Sequence, residues 1–199
     1  MTAPMHVQHK VLVIDVETTG LDPARHACIE IGAVLLDEAL QPVQEFSSLI
    51  APWRGAQIME QAMKVNQISD EQLRSAPAIE EVMKQFHETF QLDEKPPLIA
   101  GWNVWFDASF IKDLYQRVHR PWPFGYRLLD VQSVVSFHML FSGVSQEAAI
   151  DKFLNERQQH RALADASHTA RLLQLATQRC LLDPPLSDSN LLSLSSGAK

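Results

Sequence analysis

The stretch VLVIDVETTGLD, residues 11–22, constrains the fold of this chain more than any other. Val11–Val16 is a run of aliphatic, mostly β-branched residues, which is typical of a central strand buried on both faces. Asp15 interrupts the run near its end, and Glu17 follows directly. Because side chains alternate along a strand, Asp15 and Glu17 point to the same side of the sheet. A buried strand therefore ends in two neighbouring carboxylates.

Two interpretations of this carboxylate pair follow from the residues alone. The pair can simply be solvated where the chain leaves the strand. Alternatively it binds a cation such as Mg²⁺, since two carboxylates this close repel each other unless a cation joins them. The choice depends on whether other residues complete a set of ligands.

Further strand patterns follow this stretch. Cys28–Leu36 and Gln41–Ile50 are predicted strands, and Asp37–Ala39 between them suits a hairpin turn. Leu98–Gly101 is short and apolar, which predicts one more buried strand. The pattern indicates an antiparallel meander with a late additional strand.

Helical spacing dominates the second half of the chain. Helices are predicted at Ile58–Asn66, Ala78–Phe90, from Phe106 onward, Asp130–Leu140, Gln146–Leu154 and Leu163–Leu182. Strands followed by helices and a late strand favour a mixed α/β layer fold in one domain, residues 1–182. The serine-rich segment 183–199 is predicted to be disordered.

The composition narrows the class of protein. The 199 residues carry a net charge of −7, from 24 acidic and 17 basic side chains. This balance disfavours tight nonspecific binding along duplex phosphates but permits one local nucleic-acid site. Cys28 and Cys180 give neither a disulfide framework nor a zinc spacing. With no signal-peptide pattern and no run of membrane-spanning length, the protein is predicted to be cytoplasmic, without a membrane partner.

A second polar group lies in GWNVWFDASFIKDL, residues 101–114. Asp107 falls in the first turn of the predicted helix, where the helix dipole favours an acid whatever its function. It also lies on the stripe that faces the core, an unusual place for a solubilising charge. Asn103 is predicted to cap the helix, with ligand contact as the alternative. Trp102 belongs to an aromatic group that suits a core role or base stacking.

The third polar group lies in HRALADASHTARLL, residues 160–173. His160 and Asp165 are five positions apart, so they converge only if His160 precedes the helix and Asp165 lies near its start. Taken singly, the two are compatible with a surface histidine and a first-turn acid. His168 is predicted to be an exposed helix histidine, with a contact to Asp165 as the alternative.

Together the three groups resemble the DEDDh (DnaQ-like) family of 3′–5′ exonucleases. The matching residues are Asp15-Val16-Glu17-Thr18-Thr19-Gly20-Leu21, then Asn103, Phe106 and Asp107, then His160, Ala162 and Asp165. Their order and separation also match, and the resemblance spans roughly residues 9–180. It implies a ribonuclease H-like α/β fold, in which helices flank a mixed five-stranded sheet. The fifth strand would then fall within Tyr126–Val131.

The resemblance also implies an enzyme, a hydrolase of phosphodiester bonds. Asp15, Glu17, Asp107 and Asp165 would hold two divalent cations, Mg²⁺ or Mn²⁺, which clamp the attacking and leaving oxygens. By family analogy, Asp15 bridges the cations. His160 would take a proton from the attacking water, since an imidazole titrates near neutral pH. The product would be a nucleoside 5′-monophosphate.

The implied substrate is the 3′ end of single-stranded or frayed nucleic acid, with DNA favoured over RNA. The residues implied to contact it are Thr18, Thr19, Leu21, Trp102 and Asn103. Leu21 would wedge against the terminal base. Trp102 stands where many relatives have histidine, and Val65-Asn66-Gln67-Ile68 stands where many have a His-Gly pair. Both departures concern how the terminal base and sugar are held.

Two other functions stay open at this point. A noncatalytic nucleic-acid-binding or polymerase-accessory module on the same fold is disfavoured because all four acids and the histidine are in place. An endonuclease is disfavoured because the His-x-Ala-x-x-Asp arrangement accompanies 3′-end trimming in the family. The oligomeric state, including a homodimer or association with a polymerase, is left undecided, as are pathway and processivity.

Overall fold

One mixed five-stranded sheet organises the chain. A computed structural model describes residues 9–138 and 145–182. The strands are β1 (Val11–Thr18), β2 (Cys28–Leu36), β3 (Pro42–Leu49), β4 (Leu98–Gly101) and β5 (Leu128–Asp130). Their order is β3-β2-β1-β4-β5. Strands β1 to β3 form an antiparallel meander, whereas β4 and β5 run parallel to β1.

Helices cover both faces of this sheet. They are α1 (Glu60–Asn66), α2 (Asp70–Ser75), α3 (Ile79–Thr89), α4 (Val104–Arg117), α5 (Val131–His138), α6 (Gln146–Leu154) and α7 (Ala162–Leu182). Helices α3 and α4 enclose one core, and α5, α6 and α7 enclose the other. The expected ribonuclease H-like sheet flanked by helices is confirmed.

Strand β1 alternates between the two cores. Leu12 and Ile14 pack with α3 and α4, whereas Val11 and Val13 pack with α7. Since residues two apart share a face, Asp15 extends the row of Val11 and Val13. The alternation therefore directs the acidic end of β1 towards the face that α7 covers.

Several predicted boundaries are confirmed and others are corrected. Cys28–Leu36 and Leu98–Gly101 are strands as predicted, and the fifth strand lies inside Tyr126–Val131. Asp130 was expected in a helix, but it pairs with Gly101 as the last residue of β5. The six-residue helix α2 was not predicted, because it is too short for an apolar period to show.

Helix α4 begins at Val104, two residues before the predicted start. The chain leaves β4 at Gly101 and turns through Asn103, whose φ of 53° is in the left-handed region. This tight turn places the start of α4 directly beside the end of the sheet. The predicted disordered segment 183–199 lies outside the described residues.

Two further expectations concern the thiols and the membrane. Cys28 is buried with a free thiol, and Cys180 is not among the described side chains. Across residues 9–138 and 145–182, no helix combines the length and apolar composition needed to cross a bilayer.

Candidate active site

Three carboxylates converge at the C-terminal end of β1. Asp15, Glu17 and Asp165 each place one oxygen within 4.8 Å of the other two. Asp15 and Glu17 come from β1, and Asp165 comes from the first turn of α7. Carboxylate oxygens in such a group are the donors that Mg²⁺ and Mn²⁺ prefer. Two motifs far apart in sequence thus meet in one possible cation site.

Asp107 approaches β1 from helix α4. Its side chain is 4% exposed, and its Oδ1 accepts the Val16 N–H at 3.0 Å. It lines the same open cleft, of about 260 Å³, as the three converging carboxylates and His160. The hydrogen bond fixes Asp107 against the strand that carries the other two acids.

The carboxylates repel one another in the absence of a cation. Burial, and then repulsion from Asp107, Asp165 and Glu17, raises the pKa of Asp15 well above its ordinary value. Burial is also the main cause that raises the pKa of Glu17 to about 8 and that of Asp107 to about 8. A divalent cation would relieve this repulsion, so the donor set fits one.

His160 enters the cleft from the segment just before α7. Its backbone has a φ of 51°, in the left-handed region, and its side chain is half-buried among the cleft-lining residues. Asp165 lies in the first turn of α7, where its N–H donates to the Arg161 carbonyl at 3.0 Å. The condition under which the two residues can converge is met, because His160 precedes the helix, Asp165 lies near its start, and both line the cleft.

Two glutamines hold Asp165 and were not predicted. Gln158 Nε2 donates to Asp165 Oδ2 at 3.0 Å and to Gln146 Oε1 at 3.2 Å. Gln146 Nε2 in turn donates to Thr169 Oγ1 at 3.1 Å. Such outer partners orient a ligating carboxylate. Glutamines in a polar stretch carry no spacing signal that would have identified them.

His168 is buried, so its prediction as an exposed histidine is wrong. Its exposed fraction is 4%, and its Nε2 lies 3.0 Å from Glu156 Oε2. Its Nδ1 lies 3.6 Å from Asp165 Oδ1. Glu156, in the connection from α6 to α7, lies against this ring. The ring also lies close to Asp165, which was the alternative prediction for His168.

An apolar pocket of about 360 Å³ opens beside the carboxylates. It shares Val16, Glu17 and Phe106 with the cleft. Its walls include Leu21, Met59 and Val65, which are 76%, 40% and 48% exposed. Exposed apolar side chains around a concave surface are typical of a ligand site. Leu21, which is predicted to wedge against a terminal base, lines this pocket.

Internal hydrogen bonds fix the loop after β1. Thr19 is fully buried, and its hydroxyl donates to the Gln57 carbonyl at 2.6 Å. The same hydroxyl accepts the Ala27 N–H at 2.9 Å, and the Thr19 N–H donates to the Ala27 carbonyl at 2.8 Å. Both hydrogen-bond donors of Thr19, a residue implied to contact the substrate, are thus engaged within the protein. Thr18 does line the pocket, but its hydroxyl donates to the Gly20 carbonyl at 2.7 Å.

Trp102 and Asn103 lie between β4 and α4, and both border the cleft. Trp102 is largely buried in the core under α7. Asn103 occupies the N-cap position but makes no side-chain capping hydrogen bond, so the capping prediction is wrong. Its left-handed backbone differs from the extended conformation that capping side chains use. The exposed Asn103 side chain is left facing solvent at the cleft.

Sequence comparison finds relatives over most of the chain. Residues 12–173 match the family described as Exonuclease, RNase_T. The chain is 31% identical over 167 residues to a PolC-type DNA polymerase III of Thermotoga petrophila, covering 81% of this chain and 11% of the polymerase. It is 29% identical over 176 residues to Ribonuclease T of Photobacterium profundum, covering 81% of this chain and 78% of that protein.

Structural comparison agrees on the fold. A 3′-exonuclease solved in a study of histone mRNA stem-loop recognition has a TM-score of 0.73 at 18% identity, covering 90% of this chain and 68% of that one. The chain spans only about a tenth of the length of the PolC-type polymerases it matches. The match over residues 12–173, with both acidic motifs and the His-x-Ala-x-x-Asp motif inside it, places the chain in the exonuclease family, among its DEDDh (DnaQ-like) members with the ribonuclease H-like fold.

Proposed function

We propose that this chain is a metal-dependent 3′–5′ exonuclease that trims single-stranded or frayed ends, with DNA as the preferred substrate. The observation that carries the proposal is that Asp15, Glu17, Asp107, Asp165 and His160 line one open cleft. An apolar pocket adjoins this cleft and offers a place for a terminal base. Neither a noncatalytic module nor an endonuclease gains support from a specific contact in the site.

Asp15, Glu17, Asp107 and Asp165 would hold the cations. Three of these carboxylates already converge within 4.8 Å, and burial together with mutual repulsion favours a cation among them. A pair of Mg²⁺ or Mn²⁺ ions would supply Lewis acidity to the attacking and leaving oxygens of the phosphodiester. The outer partners Gln158 and Gln146 would keep the Asp165 carboxylate in a fixed orientation.

His160 would act as the general base. A ring nitrogen accepts a proton from a water molecule as the water oxygen attacks phosphorus. The bond between phosphorus and the 3′ oxygen of the preceding nucleotide breaks, and this oxygen takes a proton from solvent water. The terminal unit leaves as a nucleoside 5′-monophosphate, and the shortened strand keeps a 3′-hydroxyl.

The apolar pocket would hold the terminal base beside Leu21. Its walls of Leu21, Met59, Val65 and Phe106 can contact the faces of any base, so we expect little sequence preference. Base-independent binding suits an enzyme that removes nucleotides one after another.

Two polar side chains of this pocket, Thr18 and Asn66, make hydrogen bonds within the protein. Thr18 donates to the Gly20 carbonyl. The Asn66 amide donates to the Thr18 carbonyl at 3.3 Å and accepts the Ile68 N–H at 3.1 Å. Both side chains are engaged within the protein, so we expect neither to select for a ribose 2′-hydroxyl. Glu17 and Gln61 also line the pocket, and the preference for DNA is a proposal that the relative rates on DNA and RNA test.

The nuclease assay uses 5′-labelled DNA and RNA of one sequence, each single-stranded or in a blunt duplex. With Mg²⁺ or Mn²⁺ we expect a ladder of products shortened from the 3′ end, faster on single strands and faster on DNA. A chelator should abolish the ladder. Products cut internally would support an endonuclease instead, and intact substrates under every metal condition would reject the enzyme. A faster rate on RNA would reverse the substrate assignment alone.

Cation binding should stabilise the fold more at pH 8 than at pH 5.5. The raised pKa values of Glu17 and Asp107 mean that the folded protein keeps protons which the unfolded chain releases above about pH 4.5. Stability from these protons is fully present below that pH and is lost as pH rises through about 8. We expect Mg²⁺ at about 100 times its Kd to raise Tm by about 5–10 °C at pH 8, and by less at pH 5.5.

Differential scanning fluorimetry at the two pH values measures these shifts. KCl at matched ionic strength is the control, because screening alone should not reproduce the effect of the divalent ion. Equal Mg²⁺ shifts at both pH values would contradict the assignment of the cation to this carboxylate group.

A further inference from the structure

We infer that Glu30 and Arg161 form a clamp that positions His160 for the reaction. This inference rests on the proposed function, in which His160 takes the proton from water. Neither residue borders the cleft. Glu30 lies outside the three motifs, and Arg161 is the unspecified second position of His-x-Ala-x-x-Asp. Both act, in this proposal, through the segment that carries His160.

The clamp joins strand β2 to the segment before α7. Glu30 is 2% exposed, and Arg161 Nε donates to both of its carboxylate oxygens at 3.1 Å. Arg161 Nη2 adds a donation to Oε1 at 2.6 Å. The Ala162 N–H donates to Oε2 at 3.1 Å. Glu30 therefore binds the two residues that directly follow His160, one by its side chain and one by its backbone.

The start of α7 packs closely against β2 at Gly32. Gly32 is two residues from Glu30, so both residues face the same side of the strand. A Cβ atom on Gly32 would lie 2.2 Å from the Ala162 carbonyl carbon and from the Leu163 nitrogen. The start of α7 thus rests directly on the backbone of β2, and Glu30 holds it there.

The backbone of His160 has a conformation that an anchor at this point would hold. A φ of 51° lies in the left-handed region, which few residues with a side chain adopt, although histidine is among those that tolerate it. The contacts of Arg161 and Ala162 with Glu30 constrain the chain immediately after His160. Glu30 is also opposite Glu17 in the β1–β2 register, so the clamp ties the segment to the acidic end of the sheet.

A misplaced base lowers turnover more than it lowers binding. Displacement of a catalytic group by about 1 Å can reduce the rate on the order of 100-fold. We therefore expect Arg161→Ala to lower kcat by about 100-fold, with KM within about threefold of the parent value. Arg161→Lys should give an intermediate kcat, because a lysine cannot donate in the two-pronged geometry of a guanidinium.

Rescue distinguishes positioning from simple loss of stability. The Arg161 side chain is 47% exposed, so free guanidinium ion can reach the vacated place beside Glu30. Millimolar guanidinium should restore part of the kcat of Arg161→Ala. Arg117→Ala is the matched control, because it removes an arginine–carboxylate pair with Asp113 in the C-terminal half of α4. It should lower Tm without changing kcat.

Hydrogen exchange tests the clamp without relying on activity. The Ala162 amide should exchange faster in Arg161→Ala than in the parent, and Arg117→Ala should leave it unchanged. Unchanged exchange at Ala162, a parental kcat in Arg161→Ala, or an equal kcat loss in Arg117→Ala would each overturn the clamp. A parent protein that degrades no nucleic acid would overturn the proposed function, whereas the exchange result would still report on the contact itself.

Discussion

Asp15→Asn is expected to lower kcat by more than about 1,000-fold while the fold is retained. Loss of an outer partner of a metal ligand typically costs 10–100-fold, and Asp15 would be a direct ligand. Burial, and then repulsion from Asp107, Asp165 and Glu17, raises the pKa of Asp15, which marks it as the centre of the acidic group. An amide of the same size keeps the packing but removes the charge that a cation would neutralise.

The same substitution should change the response to cations in a diagnostic way. Without a cation, Asp15→Asn should have a higher Tm than the parent at pH 8, because one of the repelling charges is gone. Addition of Mg²⁺ should then produce little further rise. Asp37→Asn is the matched control, an acid-to-amide change in the β2–β3 hairpin, where Oδ1 accepts the Ala39 and Gln41 N–H groups. A Mg²⁺ shift of parental size in Asp15→Asn would refute the cation assignment.

Structure was predicted most accurately from the sequence where a single local rule determines the secondary structure or the direction of a side chain. Strand alternation placed Asp15 and Glu17 on one face, and the short apolar run Leu98–Gly101 identified β4. The order of motifs then supplied the rest of the fold through the family resemblance. Local patterns fail at boundaries set by tertiary pairing. Asp130 ends a strand only because Gly101 lies beside it, and nothing near Asp130 in sequence encodes that pairing.

The site shows the same division between local and long-range information. Asp165 meets Asp15 because α7 rests on β2 at Gly32, a contact between residues 130 positions apart. Gln158 and Gln146 depend on that packing and gave no signal of their own. Glu30, in contrast, does give a signal in the sequence, because it is the single charged residue in the otherwise apolar strand CIEIGAVLL. A lone acid in a fully buried strand requires a partner, and here the partner is Arg161.

His160→Ala is expected to lower kcat by about 10²- to 10⁴-fold and to leave cation binding intact. That range is typical of losing a positioned general base. The three carboxylates that converge within 4.8 Å do not include His160, so the Mg²⁺-induced Tm shift should stay at the parental value. This combination separates His160 from Asp15, whose substitution should abolish both turnover and the cation response.

His119→Ala is a control matched to His160→Ala in chemistry and in backbone conformation. His119 has a φ of 53°, close to the 51° of His160, and it is exposed just after the C-terminal end of α4. Both substitutions therefore place alanine in the same strained region, but only one removes a cleft-lining imidazole. Single-turnover cleavage of 5′-labelled DNA with saturating Mg²⁺ measures the chemical step. Equal rates for the two variants would exclude His160 as the base, because backbone strain alone would then account for the loss.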